Sequence, residues 1–192
     1  DFATILGLCM NSFNTPTTPI PDAEHLYGQL LAQVRAQIET AEQPPVLIGV
    51  HRGGAWLAER LHADLNLTEP FGTIDISFYR DDFAMVGIRS NVKTTDVPVD
   101  LNDRDVLLCD DVLNSGRSVR AALNEIFDFG RARRVDLAVL FDRGGRELPM
   151  AAQWVGGVGD FDPVYKLVLE RDEHHRFCFR VPLRADVEGV TA

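Results

Sequence analysis

Short, wholly apolar runs alternate with amphipathic stretches through most of this sequence, and each predicts an element. From Asp22, an N-cap residue, Leu26, Leu30, Val34 and Ile38 recur at four-residue steps and predict a helix, which Pro44-Pro45 ends. Val46–Val50 is apolar throughout, the composition of a strand buried on both faces. A loop, His51-Arg52-Gly53-Gly54, follows, then a helix carrying Trp56, Leu57, Leu61 and Leu65. Thr73–Tyr79 alternates Ile74, Ile76 and Phe78 and reads as a strand. Val106–Cys109 is a second buried strand. Val119, Leu123 and Ile126 mark a helix ended by Gly130, and Val135–Phe141 is a third buried strand. Val164–Glu170 and Arg176–Val181 flank a polar turn and predict an antiparallel hairpin.

Strand, loop and helix therefore alternate through the middle of the chain, which predicts an α/β fold with a mainly parallel sheet flanked by helices. Ligands of such sheets sit at the carboxyl ends of the strands. The loops 51–54, 110–118 and 142–149 all fall at such ends. Asn11–Pro21, rich in Thr and Pro, reads as the end of an extended lead-in over 1–21, ahead of a single domain over 22–192. Residues 80–105 have little periodicity and many charges. A loop this long within a compact domain is usually functional or mobile.

Composition narrows the classes. With 192 residues, 45% of them hydrophobic, the chain can bury the core of one domain. No apolar run approaches the roughly 18 residues of a membrane span. Asp1–Met10 lacks the positive flank and small-residue cleavage site of a secretory signal, and Met10 reads as a natural start. Cys9, Cys109 and Cys178 are too scattered for a disulfide framework or a CxxC metal site, so a reducing cytoplasm is expected. The net charge of −10 repels phosphodiester backbones and argues against non-specific nucleic-acid binding.

The richest chemistry lies in Val106–Ser118: an apolar strand, two carboxylates, then Asn-Ser-Gly-Arg-Ser entering a helix. A helix start offers unpaired N–H groups and partial positive charge. Gly116 lets backbone approach an anion, and Ser115 and Ser118 add hydroxyl donors. Asp110 and Asp111 only accept hydrogen bonds, which suits a diol. From the residues alone, two readings stand: an ordinary βα turn with an Asp N-cap, or a phosphate cradle beside a diol site, as a ribose phosphate needs. GxxxxGK[ST] is absent, so this is no P-loop.

This segment resembles the phosphoribosyl pyrophosphate (PRPP) signature of type I phosphoribosyltransferases. Ile74–Asp82, Val119–Leu123 and Leu137–Pro149 further resemble the bifunctional pyrimidine-operon regulator / uracil phosphoribosyltransferase family, with similarity from about Asp22 to Gly156. The resemblance implies a type I fold, a twisted sheet with a small flexible hood at 80–105. It implies that Asp110 and Asp111 hold the ribose hydroxyls while Asn114, Ser115, Gly116, Arg117 and Ser118 take the 5′-phosphate. His51, Arg52, Gly53 and Gly54 occupy the pyrophosphate-loop position; His51 is given no proton-transfer role there. Arg80, Arg89 and Lys93 are candidates for reaching pyrophosphate from the hood, with Arg80 grouped with the catalytic aspartates. Trp154 would stack on the base and the Val155 backbone would read its edge.

The implied reaction is displacement of pyrophosphate from C1 of PRPP by a base nitrogen, with Mg²⁺ held mainly by PRPP phosphates and water and no dedicated protein metal cage. Purine-type relatives carry a carboxylate where this chain has Asn114, which cannot take a proton; that points to uracil as substrate and UMP as product. Composition alone leaves xanthine or another oxo-base open. The family's second role is attenuation through operon mRNA. Arg146 is a candidate RNA contact, but Ala151 and Gly157 stand where RNA-binding relatives carry Arg and Lys. An enzyme without RNA attenuation is therefore expected ahead of a bifunctional or non-catalytic RNA regulator. A homodimer or larger homo-oligomer is the family expectation.

Overall fold

The computed structural model describes residues 18–76 and 95–183. Asp22 caps the first helix, α1 (Ala23–Glu39): its Oδ1 accepts from the backbone N–H of Glu24 at 3.0 Å and of His25 at 3.2 Å. The four-step stripe is the buried one. Leu26, Leu30 and Val34 lie in the core and Ile38 packs against it. Each such side chain contributes about 1.5–3 kcal/mol by leaving water.

The apolar runs form the centre of the molecule. In chain order come β1 (Val46–Val50), α2 (Gly53–Asp64), β2 (Gly72–Ile74), β3 (Asp105–Leu113), α3 (Arg117–Phe129), β4 (Arg134–Asp142), β5 (Trp154–Val158), β6 (Val168–Arg171) and β7 (Phe177–Arg180). Among the described residues β2-β1-β3-β4-β5 make one parallel sheet in that order. One face is covered by α1, α2 and the antiparallel β6–β7 hairpin, whose Leu169, Phe177 and Phe179 join the same core cluster. The other face is covered by α3 through Val119, Ala121, Ala122 and Ile126. The α/β, mainly parallel architecture is thus the expected one. Among the described residues no helix is long and apolar enough to cross a membrane.

Three details differ from the expectation. First, β3 does not stop at Cys109. Asp110, Val112 and Leu113 still pair with Val139, Phe141 and Asp142 of β4, so the two acids end a strand rather than begin a loop. Second, β5 follows from no apolar run, because Gly156-Gly157 interrupts it. The glycines serve close packing: a Cβ on Gly156 would lie 2.6 Å from the carbonyl oxygens of both Leu140 and Leu26, so α1 rests directly on β5 there. Third, among the described residues of the expected Thr73–Tyr79 strand, pairing covers Thr73 and Ile74, within β2; residues 77–79 lie outside the described residues. The described chain resumes at Thr95, and Asp96 bridges back to Thr73 through N–H···O bonds of 2.7 and 2.8 Å. Arg80, Arg89 and Lys93 lie outside the described residues.

Candidate active site

The strand order reverses direction between β1 and β3: the chain builds β2 on one side of β1 and β3 on the other. A crevice opens at the carboxyl ends of two strands at such a reversal, the favoured ligand position of open parallel sheets. The loop after β1 and the loop after β3 both enter it.

They meet at Asp111. A Cβ on Gly53 would lie 2.5 Å from the Asp111 carboxyl carbon, and one on Gly54 would lie 2.9 Å from the Cα of Asp110. Only residues without side chains let the start of α2 press against the two acids. Asp110 is 6% exposed, and its Oδ1 accepts from the Asp111 N–H at 3.0 Å. The Asp111 Oδ1 accepts from Val112 N–H at 3.0 Å. His51 is tied to the neighbouring strand by its N–H to Ile74 O, 2.9 Å, and the His51–Arg52 peptide is cis. Arg52 is exposed, with its guanidinium unpaired among the described residues.

Both helices that start at this crevice lack a side-chain N-cap. Arg52 holds the position in α2 and Gly116 in α3. This contrasts with α1, which Asp22 caps. Gly116 has φ 89°, the left-handed region that favours glycine. The N–H groups of Asn114, Ser115 and Gly116 have no acceptor among the described residues, and Ser115 Oγ meets Arg117 N–H only at a long 3.4 Å. Successive unengaged amides leading into an uncapped helix form an anion-binding concavity. Of the sequence-predicted residues, Gly53 and Gly54 are brought against Asp111 and Asp110, with His51 and Arg52 preceding the first pair in the chain and Asn114–Ser118 following the second.

Arg117 follows Gly116 as the first residue of α3. Its Nε donates to Glu147 at 2.7 Å, and both side chains are more than half exposed. Asn114 donates its amide to Gly144 O at 2.9 Å. Burial, with Asp110 beside it, holds the Cys109 thiol well above its ordinary range, so it offers no thiolate nucleophile at neutral pH. Among the described residues no cluster of three His, Cys, Asp or Glu side chains suits a metal.

Trp154 and Val155, the predicted base-binding residues, lie two strands from β3, level with Cys109 and Asp110 in the register. Trp154 opens β5, in register with Ala138, and packs against the α1-side core; Val155 packs on the opposite face, and its carbonyl accepts from Gln33 Nε2 at 2.9 Å. At the carboxyl ends of β4 and β5 stands the turn from Gly159 to Tyr165. Its anchor is Arg143, a buried cation missed in the sequence reading. Its guanidinium donates to Tyr165 O (2.9 Å), Phe161 O (3.1 Å) and Asp162 O (3.0 Å). The only sequence signal was an arginine directly after a buried strand. Arg146, the candidate RNA contact, turns its donors inward, to Met150 O at 2.9 Å, Asn114 O at 2.8 Å and the Asp142 carboxylate.

Comparison with known proteins agrees with this geometry. Residues 18–164 match the family model described as the phosphoribosyl transferase domain. The chain belongs to the phosphoribosyltransferase family. This phosphoribosyltransferase is 45% identical over 172 residues to the protein named Bifunctional protein PyrR of Ralstonia nicotianae, covering 89% of this chain and 90% of that one. It is 47% identical over 170 residues to the PyrR of Nitrosococcus oceani, covering 87% and 96%. Its fold matches the hypoxanthine phosphoribosyltransferase of Trypanosoma cruzi with TM-score 0.61 at 19% identity, covering 94% of this chain and 98% of that one. The Staphylococcus aureus hypoxanthine enzyme gives 0.60 at 19% identity, with 93% and 99% covered. As a phosphoribosyltransferase with PyrR proteins among its relatives, the chain has the type I fold expected of it.

Proposed function

We propose that this phosphoribosyltransferase makes UMP and pyrophosphate from uracil and PRPP. The observation that carries the proposal is the pairing of Asp110 and Asp111 with the uncapped, amide-lined start of α3. Carboxylates accept from ribose hydroxyls, and amides donate to the 5′-phosphate. Across the crevice, the uncapped start of α2 and Arg52, unpaired among the described residues, are the groups proposed to take the pyrophosphate. In the reaction a base nitrogen bonds to C1 as the C1–O bond to pyrophosphate breaks. The pyrophosphate leaves with the bonding pair, and the base loses a proton.

Catalysis on this reading comes from positioning and from stabilising charge on the leaving group. Carboxylate oxygens are hard ligands that fit Mg²⁺, and Asp110 and Asp111 are the residues that would face an ion held mainly by PRPP phosphates and water. Bound there, Mg²⁺ supplies charge neutralisation of the pyrophosphate. Arg80, outside the described residues, belongs to the proposal as part of a lid that excludes water; the expected hood does not reach 105, because Leu101 is fully buried, Val97 and Val99 pack on the same core and Asp105 opens β3. The pyrimidine preference rests on Asn114, whose amide is engaged with Gly144 O and carries no proton-accepting carboxylate. The base side of the pocket is assigned, as the resemblance implies, to Trp154 and the Val155 backbone. A cytoplasmic homo-oligomer is part of the same reading.

The name shared by the PyrR relatives favours a second reading, RNA-dependent regulation. Against it stand the inward-turned Arg146, the absence of a cation at Ala151 and Gly157, and the net charge of −10. A panel of free bases with PRPP and Mg²⁺ tests the first reading: uracil is expected to be the preferred acceptor, and preference for a purine would overturn it. Titration of the cognate operon leader RNA with UMP tests the second. Salt-sensitive, UMP-dependent binding would reverse the ranking.

A further inference from the structure

The phosphate cradle does not hold its own shape. Its backbone carbonyls are gripped from behind by the segment that follows β4. Leu113 O accepts from Arg143 N–H at 3.0 Å, Asn114 O from Arg146 Nη1 at 2.8 Å, and Ser115 O from the N–H groups of Glu147 and Leu148, both at 3.0 Å. In a trans peptide the C=O and the following N–H point in opposite directions. Turning the carbonyls of residues 113, 114 and 115 toward this segment therefore turns the N–H groups of Asn114, Ser115 and Gly116 the other way. Those are the three amides without an acceptor among the described residues.

Arg146 is the centre of this grip. Its Nε donates to Met150 O at 2.9 Å and its Nη1 to Asn114 O and Gly144 O, while its Nη2 pairs with Asp142. One planar fork thus fixes the cradle, the 144–150 segment and the end of β4 relative to one another. A lysine has one rotatable ammonium and cannot span these acceptors.

We infer that Arg146 is a positioning residue for phosphate binding, aiming the amides of Asn114, Ser115 and Gly116 at the 5′-phosphate without touching it. The inference rests on the proposed PRPP site, but not on the identity of the base. It also gives Arg146 a role in this chain that RNA contact does not explain.

The test compares wild type with Arg146→Lys and with Asp142→Asn, which loosens the same fork from its acidic side. Ribose 5-phosphate affinity is measured by calorimetry, KM for PRPP and for uracil by UMP formation, and folding by thermal melting. Arg146→Lys is expected to weaken ribose 5-phosphate binding and raise the PRPP KM about tenfold, since small misplacements of binding groups carry penalties of that order. The uracil KM should stay at the wild-type value, and Asp142→Asn should show a smaller change of the same sign. Unchanged phosphate affinity in both variants overturns the inference, whether melting falls or only RNA binding is lost. Should wild type form no UMP, the uracil reading fails while the ribose 5-phosphate arm still decides the role of Arg146.

Discussion

Gly53 and Asp111 are in direct contact across the switch point of the sheet: a methyl on Gly53 would lie 2.5 Å from the Asp111 carboxyl carbon. The 51–54 loop, proposed for pyrophosphate, and Asp111, proposed for the ribose, are therefore placed by one packing contact. Gly53→Ala must displace either the start of α2 or the carboxylate. The expected outcome is a PRPP KM raised about 10- to 100-fold, the range for misplaced binding groups. Steady-state kinetics, with circular dichroism to confirm the fold, checks this.

Asp111→Asn keeps the shape but removes the charge. A hydrogen bond to a charged group contributes about 1.5–3 kcal/mol, a factor of roughly 10 to 100 in affinity. PRPP binding is expected to weaken by that factor while the melting temperature changes little. Calorimetry of PRPP with both proteins measures it.

Gly156→Ala tests how α1 sits on the sheet. The added methyl meets two backbone carbonyls, Leu140 O and Leu26 O, each at 2.6 Å, and neither can rotate away as a side chain would. Overpacking of this kind costs about 1–3 kcal/mol. The urea midpoint should fall with an unchanged slope.

The acid limb of stability has an identified contributor. Arg60 grips Glu24 through two hydrogen bonds, of 2.5 and 2.9 Å, and holds its carboxyl below the usual range, aided by the Phe177 N–H. A folded-state pKa below the unfolded one stabilises above the ordinary carboxylate range, and that stabilisation is lost as pH falls through the folded value. Glu24 is 34% exposed, so screening keeps the contribution to about 1 kcal/mol or less. Glu24→Gln should lower stability at pH 7 by that amount and flatten the loss on acidification. Denaturant titrations at pH 7 and in the acid range check both.

The sequence revealed what local patterning encodes. The stripe of α1 and the apolar runs of β1, β3 and β4 were readable because burial on one or both faces forces them. The loop from Asn114 to Ser118 left an ordinary βα turn and a phosphate cradle both open from its residues alone, and the resemblance to the PRPP signature chose between them. What escaped depends on contacts between distant segments. β5 is paired although Gly156-Gly157 breaks its apolar run, because its glycines answer to Leu26 and Leu140, far away in sequence. The strand character of Asp110 and Asp111 comes from continued pairing with β4. Arg143 and Arg146 resemble surface charges in the sequence, and only the fold gives them their backbone acceptors.

The acids at the end of β3 and the cradle after them are proposed as a uracil phosphoribosyltransferase site. UMP formation from uracil, PRPP and Mg²⁺ tests it most directly, with wild type run beside the Asp110→Asn/Asp111→Asn double variant. Wild type is expected to form UMP and pyrophosphate in equal amounts, and the variant to do so at least about 100-fold more slowly. Equal rates from the two proteins, or no UMP from wild type, would contradict it.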